Sequence, residues 1–566
     1  MTATQSAGGG PEREAGAVRV AAAEPSDKWA RGDGSARPGA RAVRRGGPVT
    51  GGGAQDVDPE LPEEDGRCGS PRPDGAPERG SAEAGDVVDA TWTAMVSRAY
   101  DHGRPAVRFG GPSWNGRELL DRAGGAADWL DTLGLEPGAP VPALVATSAD
   151  ALALVIGGAG SGHPLAPLGV RMTAHEIAAV VKGMPARLLL AQPEFADLAG
   201  QVAELSGSRV AIVPELDFSA RTLTADPDQL AAVLHTSGTT GLPKPVPMSQ
   251  RRLAARARVN GRLCALDPDS FYGGSAPFHH IAGLGNIAVA LAAGALVTGL
   301  PRFSVEGWTL LRDLGTTHTS MVPAMLETLL AAGEARHPSL RTLQYGGAPV
   351  RPGTLRRTYE AMPGVRMLNM FGQTEGSPIS VLTPEDHREA VAGRAELLRS
   401  VGRPAPGVEV RVDRAGADGV GEIHARAGHF FRVDAEGWLH SGDLGRIADD
   451  GYLYLLGRGS DMIIRGGENV HPLEVETVLT AHPGVADAAV TGVPDERLGQ
   501  TVVAFVVPAD PGAPPGPAAL RSHTRARLSG FKVPVRWWFV DDLPRNANGK
   551  VVRRDLREPY EGDPHA

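Results

Sequence analysis

The feature that most constrains this chain is an alternation of short apolar runs with segments of helical periodicity, which begins at Asp89. The runs VPALVAT, ARLLLAQ and SRVAIVPE are typical of buried strands, and ADALALVIGGAGSG is typical of a helix. The same alternation continues through ALVTGL and LRTLQYGGAP. Strands that alternate with helices favour parallel βαβ layers, so we expect an α/β fold for most of the chain.

The 566 residues divide into three expected segments, and a change of composition sets the first apart from the rest. Residues 1–87 contain no Ile, Phe or Tyr, so they bury too little apolar surface to offset their ordering entropy and are expected to be disordered, without a catalytic role. Residues 88–457 form the expected large domain. Residues 458–566 form a smaller unit, in which two helical segments, PLEVETVLTAH and AALRSHTRARLS, flank the strands VADAAVTGVP and TVVAFVVP.

Composition narrows the classes of partner and the compartment. A formal net charge of −9 gives no reason to expect nucleic acid or an acidic membrane surface as a partner. There are two cysteines, Cys68 and Cys264, which argues against a disulfide framework and favours a reducing cytoplasm. No apolar run has the length of a signal-peptide core at the N-terminus or of a bilayer span elsewhere, so membrane insertion is not expected.

The segment HTSGTTGLPK, residues 235–244, follows an apolar run and combines glycines, hydroxyls and a lysine. Glycines let a backbone turn approach a ligand closely, and the N–H groups, hydroxyls and lysine of such a turn attract anions. A phosphate cradle is therefore predicted, with an ordinary surface turn as the alternative. The segment is not a standard P-loop, because Pro243 precedes the lysine where that motif has glycine.

Four further stretches carry candidate chemistry: YGGAPV (345–350), NMFGQTEG (369–376), WLHSGDLGRIADDGYLYLLGRGSD (438–461) and PRNANGK (544–550). Each alone could be a strand-end turn, a capped helix, a hairpin or a solvated lysine. In this order and spacing, and together with GRGSDMIIRGGENVHPLEVE, they resemble the signature motifs of the adenylate-forming (AMP-binding) superfamily. That superfamily contains acyl- and aryl-CoA ligases, adenylation domains of peptide synthetases, and luciferases, and the resemblance covers the chain after residue 88.

The resemblance implies a large N-terminal domain of layered sheets and helices. It also implies a small, mobile α+β C-terminal lid domain, with a hinge near residues 458–460. It further implies a two-step reaction, in which a carboxylate attacks the α-phosphorus of Mg-ATP to give an acyl-adenylate and pyrophosphate. The lid then rotates, and an acceptor, usually a thiol such as that of coenzyme A, takes the acyl group.

The resemblance also assigns roles to residues of the matching motifs. The β- and γ-phosphates would be held by Thr236, Ser237, Gly238, Thr239, Thr240, Gly241 and Lys244. The rest of the ATP/AMP-binding set is Gly346, Gly347 and Ala348 at the adenine, Asp443 and Arg458 at the ribose, and Asn369, Phe371 and Gly372. Thr374 would donate to the α-phosphate, Glu375 would bind Mg²⁺, and Lys550 would bridge the incoming carboxylate and the α-phosphate.

The stretch APFHHIAGLGN resembles the gate motif of the superfamily, with His280 as the gating side chain beside the acyl pocket. Members that activate amino acids have aspartate at the next position, which here is Ile281. A buried ammonium without a counter-charge is costly, so a fatty, short-chain or aryl acid fits better than an α-amino acid. Gly466 and Gly467 would line a channel for a pantetheine arm, which coenzyme A and an acyl carrier protein share.

Three departures from the usual pattern bear on the second half-reaction. Ser460 stands where the hinge usually has Asp or Lys, KPVPMSQ replaces the usual continuation of the cradle, and the segment before Trp438 is shorter than usual. The leading interpretation is an AMP-forming acyl-CoA ligase that passes a small carboxylic acid to coenzyme A. An adenylate-forming ligase that uses a carrier protein or an amine is the alternative. A catalytically dead relative is a third possibility, disfavoured by the intact set Lys244, Glu375, Asp443, Arg458 and Lys550.

Overall fold

The structure is a computed structural model that describes residues 90–556, apart from residues 102, 111–112, 237–242, 349, 417–418, 467 and 546–549 and the side chain of residue 554. Every described residue belongs to one unit, residues 81–566. The predictions for the tail at residues 1–87 lie outside the described residues, as does most of the turn in PRNANGK.

Thirteen α-helices lie within the described residues. In chain order they are α1 (Trp92–Ala99), α2 (Gly116–Asp131), α3 (Ala149–Ser161), α4 (Ala174–Lys182), α5 (Ala196–Ser206), α6 (Gln250–Cys264), α7 (Asn286–Ala292), α8 (Val305–Asp313), α9 (Pro323–Ala331), α10 (Pro352–Ala361), α11 (Pro384–Ala392), α12 (Pro472–Thr480) and α13 (Pro517–Arg525). Many begin at side-chain caps; for example, Asn115 and Glu118 form a reciprocal capping box at the start of α2.

The strands of the first half, in chain order, are β1 (Pro105–Arg108), β2 (Ser113–Asn115), β3 (Val141–Leu144), β4 (Leu165–Pro167), β5 (Leu188–Ala191), β6 (Arg209–Ile212), β7 (Leu230–Thr236), β8 (Lys244–Ser249), β9 (Phe271–Gly274), β10 (Leu296–Gly299), β11 (His318–Met321) and β12 (Thr342–Gly346). Those of the second half are β13 (Arg366–Gln373), β14 (Gly376–Leu382), β15 (Arg403–Pro404), β16 (Glu409–Asp413), β17 (Gly421–Arg426), β18 (Trp438–Ile447), β19 (Leu453–Arg458), β20 (Ile463–Arg465), β21 (Glu468–Val470), β22 (Val485–Asp495), β23 (Gly499–Pro508) and β24 (Arg536–Phe539).

Two large sheets form the layers of the main part of the chain. One has the order β15-β14-β13-β12-β11-β9-β10-β1-β2, and the other has the order β6-β5-β3-β4-β7-β8. Their inner strands are parallel, as the alternation of strands and helices predicts. Some outer pairs, such as β7 with β8 and β13 with β14, are antiparallel, and in each the two strands are consecutive in the chain.

The helices α2, α3, α6 and α7 pack in the largest apolar core together with strands of both sheets. Helix α3 is buried along nearly its whole length, which explains its apolar sequence. A Cβ on Gly157 would lie 2.3 Å from the Ala123 carbonyl oxygen, so only glycine lets α3 approach α2 this closely.

The last third of the chain is built differently. Strands β16-β17-β18-β19 form an antiparallel sheet, and the C-terminal strands form a sheet of order β21-β20-β23-β22, with β24 parallel to β23. Helices α12 and α13 pack on the C-terminal sheet around a core of their own, which includes Val475, Val490 and Leu520. This small α+β unit matches the expected C-terminal domain. None of the helices within the described ranges combines the length and apolarity that a bilayer crossing requires.

Candidate active site

The predicted adenine motif and the NMFGQTEG motif meet where parallel strands end. Strand β12 ends at Gly346, which lies opposite Met370 of β13. Strand β13 then turns through Thr374 and Glu375 into β14. Because ligands of open α/β sheets bind beyond the carboxyl ends of the strands, this edge is the expected place for a nucleotide.

The predicted phosphate cradle joins this edge from the other sheet. Strand β7 ends at Thr236, whose hydroxyl donates to Oε1 of Glu375 at 3.2 Å, although 139 residues separate them in the chain. Thr236 is also the strand partner of Lys244, which is exposed at the start of β8. The remaining predicted cradle residues, Ser237, Gly238, Thr239, Thr240 and Gly241, lie outside the described residues. One flank of the cradle therefore contacts Glu375, and the other flank pairs with the first in the sheet.

The predicted ribose pair is formed within the antiparallel sheet. Asp443 of β18 and Arg458 of β19 are directly opposite strand partners, and Nε of Arg458 lies 2.8 Å from the Asp443 carboxylate. The Arg458 guanidinium also donates to the carbonyl oxygen of Ser441 at 2.9 Å. Burial raises the pKa of Asp443, while the positive charges of Arg458 and Lys550 lower it. The carboxylate is thus held in a fixed position by a cation and remains able to accept further hydrogen bonds.

Lys550, more than ninety residues beyond Arg458, shares this electrostatic environment. Desolvation by the surrounding chain and the positive charge of Arg458 lower its pKa, whereas the carboxylates of Asp443 and Glu375 raise it. The side chain still reaches solvent, so water screens these interactions. The fold therefore brings Lys550, Arg458, Asp443 and Glu375 into one charged region, as a reaction at a triphosphate requires.

The structure shows why glycine occupies certain positions of the two strand-end motifs: a larger side chain would collide with neighbouring backbone. A Cβ on Gly346 would lie 2.5 Å from the Met370 carbonyl oxygen, and one on Gly372 would lie 2.7 Å from the Gly376 carbonyl oxygen. Gly347 has φ +82°, a conformation that favours glycine. Asn369 is buried, with Oδ1 close to Gly346, and Phe371 packs in the core below the motif.

A cavity of about 100 Å³ opens beside this edge. Its wall contains Gly346, Gly347 and Gly372 from the strand ends and Ile281 from the predicted gate motif. The other lining residues are Arg256, Ser275, Ala276, Ala282, Asn286, Ser320, Met321, Val322, Met325, Gln344, Tyr345, Met370, Gln373 and Ser377. The nucleotide edge and the predicted acyl pocket are therefore continuous.

Comparison with known proteins identifies the family. The AMP-binding enzyme family matches residues 96–433, and the AMP-binding enzyme C-terminal domain matches residues 474–550. The chain belongs to the AMP-binding enzyme family. It is therefore an adenylate-forming, ATP-binding ligase, and the α/β fold with a small C-terminal domain is confirmed.

Relatives in this family span most of the chain. The fatty acid–[acyl-carrier-protein] ligase ScoC of Streptomyces coeruleorubidus is 34% identical over 496 residues, which cover 81% of this chain and 94% of ScoC. The 2-succinylbenzoate–CoA ligase of Geobacillus kaustophilus is 36% identical over 415 residues, which cover 69% of this chain and 81% of that enzyme.

Solved structures of the family are similar in fold over 83% of this chain and 99% of their own. The ATP-bound MatB of Rhodopseudomonas palustris has a TM-score of 0.74 at 28% identity. The amide bond synthetase McbA of Marinactinospora thermotolerans has a TM-score of 0.73 at 30% identity.

In this AMP-binding enzyme, the predicted gating residue His280 lies immediately before a short π-helix, Ile281–Gly285. Its Nε2 is buried and has no hydrogen-bond partner within the described part of the chain. Burial lowers its pKa to about 4, so the imidazole is neutral at physiological pH. The ring lies 3.9 Å from that of His279, centroid to centroid.

Gly466, which the resemblance assigns to the acceptor channel, lies in the C-terminal unit. Gly466 has φ +61° in the turn between β20 and β21, and its N–H donates to the Leu498 carbonyl oxygen at 2.8 Å. These contacts lie within the C-terminal unit and do not involve His280 or Ile281. Gly467 lies outside the described residues.

One lining residue that our sequence interpretation did not single out is Arg256. It follows Leu253 and precedes Ala257 on the buried face of α6, at helical spacing with Asn260 and Cys264. An arginine among the buried positions of an amphipathic helix is an exception to the usual pattern, and this exception is the signal that could have identified it.

Proposed function

We propose that this adenylate-forming ligase activates a carboxylic acid with ATP, releases pyrophosphate and transfers the acyl group to the thiol of coenzyme A. The observation that carries the proposal is the convergence of Glu375, Asp443, Arg458 and Lys550 in one charged region. Glu375 follows Gly372 and Gln373 in the chain, and these two residues line the cavity. In-line attack at a triphosphate depends on alignment and charge neutralisation rather than on a protein nucleophile, and these residue types supply both.

Each charged group has a distinct role in this proposal. Lys550 is within the electrostatic reach of Asp443 and Glu375, so its ammonium can stabilise the charge that builds between the substrate carboxylate and the α-phosphate. Asp443 accepts hydrogen bonds from ribose hydroxyls, and Arg458 holds its carboxylate in place. Thr374, in the turn next to Glu375, donates to the α-phosphate.

The donor set at Glu375 fits Mg²⁺. The Glu375 carboxylate and the Thr236 hydroxyl lie 3.2 Å apart, and both are hard oxygen ligands of the kind that Mg²⁺ prefers. These residues would hold the ion, which when bound would neutralise phosphate charge. The cradle Ser237–Gly241 and Lys244 would hold the departing pyrophosphate beside them.

The residues of the predicted gate motif, His280 and Ile281, indicate the chemical class of the substrate acid. Ile281 lines the cavity where an ammonium of an amino acid would need an acidic partner, which supports a fatty, short-chain or aryl acid instead. His280, neutral and next to Ile281, can swing without carrying a charge through the pocket and so can separate the acyl pocket from the acceptor channel.

Coenzyme A is the proposed acceptor because Gly466 and Gly467 match the acyl-CoA ligase form of the motif and because several relatives are CoA ligases. A second acceptor class is favoured by two similarities. ScoC is named as an acyl-carrier-protein ligase and McbA as an amide bond synthetase, and each aligns over nearly its full length.

The presence of only two cysteines supports a cytoplasmic setting for the reaction, and we assign no catalytic role to residues 1–87.

The experiment that tests the proposal is exchange of labelled pyrophosphate into ATP with a panel of fatty, short-chain and aryl acids. Mass spectrometry of the products follows, with coenzyme A, a phosphopantetheinylated carrier protein or an amine present. We expect acid-dependent exchange and an acyl-CoA product. Exchange without thioester in the presence of coenzyme A would assign the acceptor to another class, and the absence of exchange with every acid would refute the proposal.

A further inference from the structure

The proposed mechanism makes no use of Arg256, although this arginine lines the same cavity as Ile281, Gly346 and Gly372. Arg256 is 2% exposed, and its side chain projects from the buried face of α6. A fully buried arginine is uncommon unless it is paired with an acid, because removal of its charge from water is costly.

The protein only partly satisfies this guanidinium. One terminal nitrogen donates to the Gly285 carbonyl oxygen at 2.6 Å, and the other donates to Oδ1 of Asn286 at 2.8 Å. Nε has no hydrogen-bond partner among the described residues, and no described carboxylate forms an ion pair with the group. Two neutral acceptors therefore serve a side chain with five donors.

The charge itself persists at neutral pH. Burial lowers the pKa of Arg256 to about 10, still well above physiological pH. One turn further along the same face of α6, Asn260 is also buried, and neither of its side-chain polar atoms has a hydrogen-bond partner among the residues that the structure describes. The cavity wall thus contains one uncompensated cation, with unused amide hydrogen-bonding capacity one turn further along the same helix.

We infer that Arg256 binds a second oxyanion at the far end of the acid that this enzyme activates, so that the substrate is a short carboxylic acid with a further carboxylate or sulfonate. This inference rests on the proposed function. The reacting carboxylate points toward Thr374, past the lining residues Gly372 and Gln373, and the second acidic group lies at the guanidinium, in the same cavity of about 100 Å³. Charge-assisted hydrogen bonds to Arg256 offset its desolvation, and such bonds are about twice as strong as neutral ones.

The test compares acids of matched length in the pyrophosphate exchange assay. The pairs are succinate with butanoate and glutarate with pentanoate, and 3-sulfopropanoate distinguishes a sulfonate from a carboxylate. We expect kcat/KM of the unaltered enzyme to favour the doubly acidic member by about tenfold or more. The substitution Arg256→Gln is expected to remove this preference by lowering exchange with succinate about tenfold more than exchange with butanoate, while Arg256→Lys retains part of the preference.

The matched control is Arg251→Gln on the same helix. Arg251 is exposed and pairs with Asp228 at 2.6 Å, so its loss is expected to change neither rate. Three outcomes overturn the inference while the proposed function stands. The first is equal use of both members of each pair by the unaltered enzyme, and the second is an unchanged preference in Arg256→Gln. The third is an equal loss of exchange with both members in that variant, which would make Arg256 a structural residue. The absence of exchange with every acid would instead remove the proposed function and the inference together.

Discussion

The charged groups of the candidate site have unequal surroundings, and these surroundings determine what each can do. Asp443 is held by Arg458 within a sheet, so its position is fixed by backbone pairing on both sides. Lys550 belongs to an irregular segment near the end of the chain and meets Asp443 and Glu375 only through tertiary structure. Removal of Lys550 therefore changes the charge at the reaction centre without disturbing a strand.

We predict that Lys550→Ala lowers acid-dependent pyrophosphate exchange by about a hundredfold to a thousandfold, the usual effect of losing one donor at a developing charge. The melting temperature is expected to stay within a few degrees, because the side chain reaches solvent. The pyrophosphate exchange assay measures the rate, and thermal unfolding measures the melting temperature. Normal exchange by this variant would refute the assignment of Lys550.

Buried histidines make the stability of the protein sensitive to acid. His337 is 3% exposed, packs against Trp308 and lies 3.1 Å from the Thr316 hydroxyl through Nε2. Burial, aided by the positive charge of Arg312, lowers its pKa to about 4, below the usual value near 6.5 in an unfolded chain. A lowered pKa means that the stabilisation is complete above pH 6.5 and is lost as the pH falls toward 4.

We predict that His337→Gln reduces this acid sensitivity, because glutamine fills the site without binding a proton. Between pH 7.5 and 5.0 the unaltered protein should lose about 2 kcal/mol more of its free energy of unfolding than the variant does. Urea unfolding at both pH values measures the difference, and a comparison of pH 7.5 with pH 8.5 should give none. Equal acid losses in the two proteins would contradict the prediction.

The element that carries Lys550 is anchored by a neighbouring arginine. Arg553 donates to Glu476 of α12 at 2.6 Å and to Asp461 at 3.1 Å, and its Nε donates to the Val490 carbonyl oxygen. Glu476 is largely buried and also accepts from the Val490 N–H at 2.8 Å. The segment around Arg553 is thus held to α12 and β22 by a largely buried ion pair.

We predict that Arg553→Met destabilises the protein by about 3–5 kcal/mol, because it leaves the Glu476 charge buried without a partner. The double variant Arg553→Met, Glu476→Gln should recover more than half of this loss, since glutamine keeps an acceptor for Val490 and carries no charge. Chemical unfolding measures both. Arg521→Met on α13 is the control, because Arg521 is exposed and reaches the Val535 carbonyl oxygen only at 3.5 Å. Additive losses in the double variant would contradict the prediction.

At the scale of the whole molecule, the C-terminal unit carries one of the charged residues of the candidate site. Lys550 of that unit lies in the same charged region as Glu375 and Asp443, whereas Gly466 contacts Leu498 within its own unit. We propose that rotation about residues 458–460 exchanges these two faces, so that Gly466 and Gly467 meet the acyl-adenylate. Ser460 is exposed in a single-turn 3₁₀ helix, Gly459–Asp461, where a few dihedral angles can absorb the rotation.

We predict that Ser460→Pro leaves pyrophosphate exchange within about threefold and slows thioester formation at least tenfold. The proline ring is compatible with the helical φ of this turn and restricts the dihedral change that rotation needs. Single-turnover assays of adenylate and of acyl-CoA separate the two steps. Ser460→Ala, which leaves the backbone free, should change neither step. Equal slowing of both steps in the proline variant would place the hinge elsewhere.

The sequence by itself determined the features that depend on local order along the chain. The apolar runs predicted the inner parallel strands, and the spacing of the motifs predicted which residue types belong to the nucleotide edge. Local chemistry sufficed because Gly346, Glu375 and Asp443 each lie in a strand or at a strand end, and a strand and its turn are encoded within a few residues.

Tertiary structure alone decided which of these residues meet. The contact of Thr236 with Glu375 spans 139 residues, and the environment of Lys550 depends on how the C-terminal unit is placed. The exposure of Arg256 to the cavity was also decided there, because a helical pattern gives the face of a side chain but not what lies opposite it. Packing between distant segments fixes distances and desolvation, and these two quantities turn a set of polar residues into a site.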